Sequence, residues 1–215
     1  MDAVIFDFDG VLVNSFNIIY QSYNEVCKKL NIPTFQTVKE FKDFYTVDFW
    51  QNYESLGLKT EEQKRKAYDT IQEYVEKHYM SAEFFGEMVD IVVELKDRYG
   101  MKIGIASTGE ARVIKQKLQG TRLEDKFDAI VGFEMVKNIK PYPEPVLLAS
   151  KLIGIPPERC AFVGDTGVDI RAGKATKVGR TIGIGMEGAY ESIEKIAGEN
   201  PDAIIIAPHE LYLFI

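Results

Sequence analysis

The chain opens with a short apolar run that ends in two carboxylates. Residues 3–6, Ala-Val-Ile-Phe, carry no polar side chain, which predicts a strand buried on both faces of a sheet. Asp7 and Asp9 follow it, and because residues two apart on an extended chain point the same way, they can share one small volume. Two close anions at a buried strand end are unfavourable unless a cation or a proton accompanies them. The pattern favours a metal site or a proton-transfer role, although solvation of a strand end would also account for it.

From about residue 14 to residue 84 the apolar positions follow helical spacing, and no segment has the alternation of a strand. Asn14 and Ser15 are possible N-terminal caps of the first helix, and Thr60 with Gln63 forms a capping box for the last. The predicted helices are Phe16–Leu30, two short pieces around 37–45 and 48–56, and a long helix from 60 to about 80.

From Gly86 onward, strand and helix patterns alternate. The predicted strands lie at 102–106, 129–131, 160–163, near 181–184 and near 203–206, with helices at 87–98, 110–119, 144–153 and 189–197. This alternation predicts an α/β fold, a doubly wound parallel sheet with helices on both faces. The first strand belongs to the same sheet, so we expect an α/β core of residues 1–13 and 85–215, interrupted by an all-helical cap subdomain of residues 14–84.

Composition and charge narrow the class of protein. The 215 residues are 46% hydrophobic and 27% charged, as in a soluble globular protein, and the net charge of −7 disfavours a nucleic-acid partner. Cys27 and Cys160 are far apart and are expected to be isolated buried thiols. No apolar run approaches the roughly 18 residues of a membrane span, and no signal peptide is recognisable, so we expect a cytoplasmic protein with no membrane partner. The sequence does not indicate the oligomeric state.

Polar residues of different kinds follow four of the predicted strands, where ligands bind in such sheets. They are Asp7 and Asp9 after the first strand, Ser107 and Thr108 after the second, Lys140 beyond the third, and Asp165 and Asp169 after the fourth. Carboxylates suit a hard divalent cation, while a hydroxyl, free amides and one ammonium suit an anion. Together these groups are what the binding of a phosphoryl group requires.

The four segments resemble, in the same order, the four motifs of the haloacid dehalogenase superfamily. The motifs are DFDG at 7–10, Ser107 after an apolar strand, Lys140-Pro141, and GDTGVD at 164–169. The long helical insertion after DFDG is similar to that family's helical cap. The resemblance implies a Mg²⁺-dependent phosphatase, similar to phosphoglycolate phosphatase, that hydrolyses a small phosphorylated metabolite through an aspartyl-phosphate intermediate.

The resemblance also implies a role for each matching residue. Asp7 would be the nucleophile, and Asp9 would be the general acid and then the base. The implied metal ligands are Asp7, Asp165 and Asp9, the last through its backbone carbonyl. Ser107, the Thr108 amide and Lys140 would hold phosphate oxygens. Asp169 would act through water or on Lys140, and direct ligation of the metal by Asp169 stays open.

The chain departs from the family's pattern at three places. Thr108-Gly109 replaces the common Asn after the motif-two hydroxyl, and Asn14 stands where an acidic residue is frequent. Asn138-Ile139 precedes Lys140 in place of the usual glycine-flanked lysine, which leaves Lys137 as the nearby rival.

Two other activities stay open as alternatives. A β-phosphoglucomutase-like phosphotransferase would need a His in the first cap helix, where this chain has Ile18, Ile19 and Tyr20. A non-catalytic phospho-acceptor or anion-binding module, similar to a receiver domain, would lack both the second motif-one Asp and the cap. A dehalogenase would also lack Asp9.

Some conspicuous residues are expected to have structural roles. Gly183, Gly185 and Gly188 spell a dinucleotide-type glycine motif, but it follows the fifth strand and not the first, so we interpret it as a turn. The aromatic segment from 41 to 53 is interpreted as the packing core of the helical insertion, with a contribution to a substrate pocket as the alternative.

Overall fold

The structure is a computed structural model that describes the whole chain, Met1–Ile215. The chain forms two compact units. The α/β unit consists of Met1–Asn14 and Phe84–Ile215, and the helical unit is Ser15–Glu83.

Six short strands make up the single sheet of the α/β unit. They are β1 (Ala3–Phe6), β2 (Lys102–Ala106), β3 (Ala129–Val131), β4 (Cys160–Gly164), β5 (Arg180–Ile184) and β6 (Ala203–Ile205). All neighbours are parallel, in the order β3-β2-β1-β4-β5-β6. Because β1 pairs with β2 on one side and with β4 on the other, the connections diverge there, and in sheets of this type ligands bind beyond the carboxyl ends of the strands at such a point. The predicted α/β class and parallel sheet are confirmed.

Nine α-helices accompany the strands. The helical unit contains α1 (Phe16–Leu30), α2 (Val38–Phe44), α3 (Phe49–Ser55) and α4 (Glu61–His78). The α/β unit contains α5 (Gly86–Asp97), α6 (Ala111–Leu118), α7 (Glu144–Ile153), α8 (Gly167–Thr176) and α9 (Ile193–Gly198). None of these helices combines the length and the apolar character that crossing a bilayer requires.

The sheet is held by burial on both faces. All four residues of β1 are fully buried, and the face that includes Ala3, Ile5 and Phe162 packs with Val146 and Ala149 of α7. Such a core explains why the strands of this sheet are mostly apolar with little alternation, apart from exposed first residues such as Lys102 and Arg180.

The helical unit has an aromatic core of its own. Phe41 has no exposed surface, and its ring lies 5.5 Å from that of Phe16 and 5.3 Å from that of Tyr23. Phe41 and Tyr53 therefore belong to this core, whereas Phe49 and Trp50 are exposed. The capping box of α4 is present as expected, with Thr60 and Gln63 exchanging hydrogen bonds.

One predicted helix boundary was wrong, and one helix was not predicted. Helix α9 begins at Ile193 and not at residue 189, because Tyr190 and Glu191 form a loop that contacts α8 and the end of β4. No helix was predicted between the fourth and fifth strands, but α8 begins at Gly167, two residues after Asp165. Asp169 consequently lies in the first turn of a helix.

Candidate active site

The candidate site lies beyond the carboxyl ends of β1 and β4 and contains three buried carboxylates. Asp7 continues the sheet for one more residue, since its N–H donates to the carbonyl of Val163 at 2.8 Å. Oxygens of Asp7, Asp165 and Asp169 all lie within 4.8 Å of one another. None of the three side chains is more than slightly exposed.

Lys140 provides the positive charge of this cluster. Its Nζ lies 2.6 Å from Asp169 Oδ1 and 2.8 Å from Asp7 Oδ1, and the residue is only 5% exposed. The rival Lys137 is exposed. The loop after β3 therefore places Lys140, and not its neighbour, between the two carboxylates.

Asp169 is held on both of its oxygens. Oδ1 accepts from Lys140, while Oδ2 accepts from the backbone N–H and the hydroxyl of Thr166, as one half of the capping box that begins α8. Gly164 is necessary for this arrangement, because a Cβ at that position would overlap with the Asp169 side chain. A carboxylate with both oxygens engaged is suited to orienting the lysine.

Asp165 is held on one oxygen only. Oδ2 accepts from the N–H of Tyr190 at 2.5 Å, whereas Oδ1 is buried and accepts no hydrogen bond. Gly10 packs directly on this carboxylate with φ +77°, so that a Cβ there would overlap with Asp165. The glycine of the DFDG turn thus permits both the reversal of the chain and the close approach of Asp165 to Asp7.

The electrostatics of the cluster reflect burial and an excess of negative charge. Burial raises the pKa of Asp7 above its ordinary value, with Lys140 opposing the shift and Asp169 adding to it. Burial, followed by the like charges of Asp169 and Asp7, raises the pKa of Asp165 well above the usual range. For the Lys140 ammonium, burial lowers the pKa, but Asp169 and Asp7 outweigh it and raise the pKa overall. One lysine does not balance three carboxylates.

The carboxylate oxygens of this cluster are suitable ligands for a hard divalent cation. Asp165 Oδ1 has no hydrogen-bond donor, and Asp7 Oδ1 meets the Lys140 ammonium in an ion pair without accepting a well-aligned hydrogen bond. Buried carboxylate oxygens without donors are unfavourable, and oxygen ligands of this kind are those that Mg²⁺ prefers. The predicted Asp7 and Asp165 thus lie together with ligand atoms directed at one volume, and Asp169 is the third carboxylate of that cluster.

The other predicted residues lie around Gly109. A Cβ built on Gly109 would lie 3.3 Å from Ser107 Oγ and 3.7 Å from Asp9 Oδ2, so both side chains adjoin this glycine. Ser107 is buried and its Oγ accepts from the Gly109 N–H at 2.9 Å. The Thr108 side chain is exposed, which leaves Ser107 as the hydroxyl that points inward.

Two features near the site were missed by sequence reasoning. Lys117 is a second buried lysine, 6% exposed, whose Nζ lies 5.4 Å from the ring centroid of Phe84. Burial lowers the pKa of Lys117, and the nearby charge of Asp9 opposes the shift. The sequence does indicate the burial of Lys117, because this residue falls at helical spacing with the apolar Ala111 and Ile114 of α6.

The second missed feature is the loop after β5. Besides the bond from Tyr190 to Asp165, Glu191 Oε2 accepts from the N–H of Gly167, the first residue of α8, at 2.7 Å. The glycine motif of this loop was interpreted as a turn, and only Gly188 has a positive φ, +95°. Its contacts with the site have no sequence signal of their own, since they depend on backbone groups.

A family model described as haloacid dehalogenase-like hydrolase matches residues 4–183 of this chain. The match covers most of the sequence and includes all four motifs. The chain therefore belongs to the haloacid dehalogenase-like hydrolases, and the expected family is confirmed.

Particular relatives agree with this assignment. The chain is 29% identical over 175 residues to a protein of Bacillus pumilus named pyrophosphatase PpaX, with 81% of this chain and 79% of that protein covered. A haloacid dehalogenase-like family hydrolase from Streptococcus pneumoniae superposes with a TM-score of 0.83 at 20% identity, covering 100% of this chain and 98% of that one. A predicted phosphoglycolate phosphatase from Haemophilus somnus gives 0.79 at 20% identity, covering 99% and 97%. At this identity the two structures support the fold.

Proposed function

We propose that this hydrolase is a Mg²⁺-dependent phosphatase that removes a phosphoryl group from a small phosphorylated compound through an aspartyl-phosphate intermediate. The observation that carries the proposal is the buried cluster of Asp7, Lys140, Asp165 and Asp169. Phosphoryl transfer can use a carboxylate nucleophile, an ammonium that offsets phosphate charge and a carboxylate that binds a metal ion, and Asp7, Lys140 and Asp165 offer these three groups. The relative named pyrophosphatase makes inorganic pyrophosphate a substrate to test first.

Asp7 is the proposed nucleophile. One of its oxygens forms a bond to phosphorus as the bond between phosphorus and the leaving oxygen breaks. A carboxylate approaching a phosphate dianion is repelled, and the Lys140 ammonium, 2.8 Å from Asp7 Oδ1, offsets that repulsion. Asp169 orients Lys140 for this purpose through its 2.6 Å contact.

Asp9 is the proposed proton donor and acceptor. It gives a proton to the leaving oxygen in the first half-reaction and takes one from the attacking water in the second, so that Asp7 is released unchanged together with inorganic phosphate. Its position two residues after the nucleophile, adjoining Gly109 and Ser107, supports this role. Ser107 and the backbone amide of Thr108 hold phosphate oxygens.

Asp7, Asp165 and the backbone carbonyl of Asp9 are the proposed metal ligands. Bound Mg²⁺ supplies further positive charge at the phosphate oxygens and at the two carboxylates. Asp169, whose oxygens both accept other hydrogen bonds, is assigned to the support of Lys140 and not to direct ligation.

The test is phosphate release from a panel of phosphorylated metabolites, pyrophosphate and p-nitrophenyl phosphate. We expect turnover with Mg²⁺ that stops with EDTA and returns when Mg²⁺ is restored. Transfer of phosphate to a second sugar position without release would favour the phosphotransferase alternative. Stoichiometric labelling without turnover would favour the phospho-acceptor module.

A further inference from the structure

The loop that carries Lys140 has little packing of its own. Between β3 and α7 the chain passes through one short turn, after which Val136 packs against the core. Lys140 itself is buried, but the residues beside it in the sequence, Ile139, Pro141 and Tyr142, are exposed. Ile139 is 47% exposed and Tyr142 is 59% exposed. Apolar side chains that remain in solvent do not hold a loop in place, so the position of Lys140 depends on other contacts.

Besides the ion pairs of Lys140 with Asp7 and Asp169, Glu144 makes contacts that hold the loop. It is the first residue of α7, and its Oε2 accepts from the backbone N–H groups of Lys137, at 3.0 Å, and of Asn138, at 2.9 Å. Its Oε1 accepts from the side-chain amide of Asn138. These hydrogen bonds, with the Asn138 side chain contributing most, lower the pKa of Glu144, so the carboxylate is ionised at neutral pH. The Glu144 carboxylate thus accepts three hydrogen bonds from Lys137 and Asn138, which precede Lys140 in the loop.

The helix that carries Glu144 is fixed by the core. Val146 and Ala149 of α7 are fully buried against the sheet. A charged clamp on a rigid helix therefore ties the loop down at Asn138, two residues before Lys140. The Asn138 side chain belongs to the same clamp, since its amide donates to Glu144 Oε1.

We infer that Glu144, with Asn138, is a positioning residue for Lys140, which sets the ammonium at the distance from Asp7 and Asp169 that phosphate binding requires. The inference rests on the proposed function, in which Lys140 holds a phosphate oxygen. The hydrogen bonds of Glu144 go to Lys137 and Asn138 and not to the carboxylate cluster. A misplacement of about 1 Å in such a group is known to lower the rate by up to about 100-fold.

A purely structural role for Glu144 makes a different prediction. An acidic side chain in the first turn of a helix stabilises that helix whether or not the loop carries a functional residue. The chain contains a matched control, because Glu210 Oε2 accepts from the N–H groups of Ile206, at 2.8 Å, and Ala207, at 3.1 Å. This second clamp closes a loop that contains none of the proposed site residues.

The experiment compares Glu144→Gln, Asn138→Ala and Glu210→Gln with the wild-type protein. For each we would measure Tm, steady-state turnover of p-nitrophenyl phosphate with Mg²⁺, and the affinity for inorganic phosphate by calorimetry. We expect Glu144→Gln to lower both kcat and phosphate affinity by about tenfold or more, and Asn138→Ala to do so to a smaller extent. Glu210→Gln is expected to lower Tm alone.

A fourth comparison tests whether Glu144 affects phosphate binding through Lys140. In a Lys140→Met background, where the ammonium is absent, adding Glu144→Gln should leave phosphate affinity unchanged, because the two residues act as one unit. Glu144→Gln with the kcat and phosphate affinity of Glu210→Gln would overturn the inference while leaving the phosphatase proposal intact. A further loss of phosphate affinity in the Lys140→Met background would also overturn it. A wild-type protein that neither binds nor releases phosphate would reject both proposals.

Discussion

The aspartates at the two ends of the parallel strands have opposite electrostatic environments. We call the side of the sheet where the strands begin the amino edge, and the side where they end the carboxyl edge. At the amino edge, Asp128 precedes β3 and receives the ammonium groups of Lys96, at 2.6 Å, and Lys102, at 2.8 Å, together with the N–H of Ile103. Burial favours its neutral form, but these donors outweigh burial and lower its pKa to about 2. At the carboxyl edge, burial raises the pKa of Asp7, and one lysine serves the whole cluster.

The two edges differ in whether a buried carboxylate has enough hydrogen-bond donors and cations around it to balance its charge. A carboxylate with several donors stabilises the fold and has little capacity left for a ligand. A carboxylate that is buried with too few donors destabilises the fold until a cation or substrate supplies the missing charge. We therefore expect substitutions at the amino edge to change stability, and substitutions at the carboxyl edge to change activity and metal binding.

The largest expected effect separates activity at the two edges. Asp7→Asn should lower phosphate release at least about 1,000-fold, because the amide does not form the phospho-enzyme bond. Asp128→Asn, with the same change of atoms, should keep a kcat close to that of the wild type. Phosphate release assays on both variants, with circular dichroism to confirm folding, make the comparison, and an active Asp7→Asn would reject the nucleophile assignment.

The second largest expected difference between the two edges is in how much Mg²⁺ raises the thermal stability of their variants. A cation bound at 100 times its Kd stabilises the folded state by about 2.7 kcal/mol. We expect Mg²⁺ to raise the Tm of the wild type and of Asp128→Asn, and to leave that of Asp165→Asn nearly unchanged. Metal-free Asp165→Asn should be at least as stable as the metal-free wild type, because a negative charge is removed from the cluster. Equal stabilisation of all three proteins by Mg²⁺ would contradict the proposed ligand set.

The ion pairs of Asp128 should appear as a pH-dependent stability. Since its pKa is depressed in the folded state, the stabilisation is present above the unfolded pKa of about 4 and is lost as the pH falls through about 2. At pH 7 we expect Asp128→Asn to lower the free energy of unfolding by about 1 to 2 kcal/mol, allowing for screening of the exposed Lys102. Urea denaturation from pH 7 down to pH 2 should show this difference shrinking; a constant difference would mean that charge is not its cause.

Asp202 offers the smallest and most specific test. It precedes the edge strand β6 as Asp128 precedes β3, and it accepts from the N–H of Thr181 at 2.7 Å and from its hydroxyl at 2.8 Å. Because Asp202 is exposed and receives no ammonium in a direct contact, Asp202→Asn should lower the free energy of unfolding by less than about 1 kcal/mol. A loss larger than that of Asp128→Asn would show that backbone capping, and not ion pairing, dominates at the amino edge.

Sequence reasoning predicted which residues meet at the carboxyl edge better than it predicted how they are held. Parallel strands all end on the same side of a sheet, so the placement of Asp7, Lys140 and Asp165 at the carboxyl edge followed from the predicted parallel arrangement. The hydrogen bonds of Asp169 did not follow from it, because they depend on α8 beginning at Gly167. The burial of Lys117, in contrast, could have been predicted, because Lys117 falls at helical spacing with the buried Ala111 and Ile114.

By itself, the sequence determined the class of the fold, the order of its strands along the chain, most of its helices and the residue types available at the carboxyl edge. These are local properties, since apolar runs, helical spacing and glycine turns act over a few residues. Only the tertiary structure decided which partners each carboxylate obtains: two ammonium groups for Asp128, and one shared lysine for Asp7 and Asp169. Burial and the number of donors within reach set the pKa of a carboxylate, and both depend on segments that are distant in the chain.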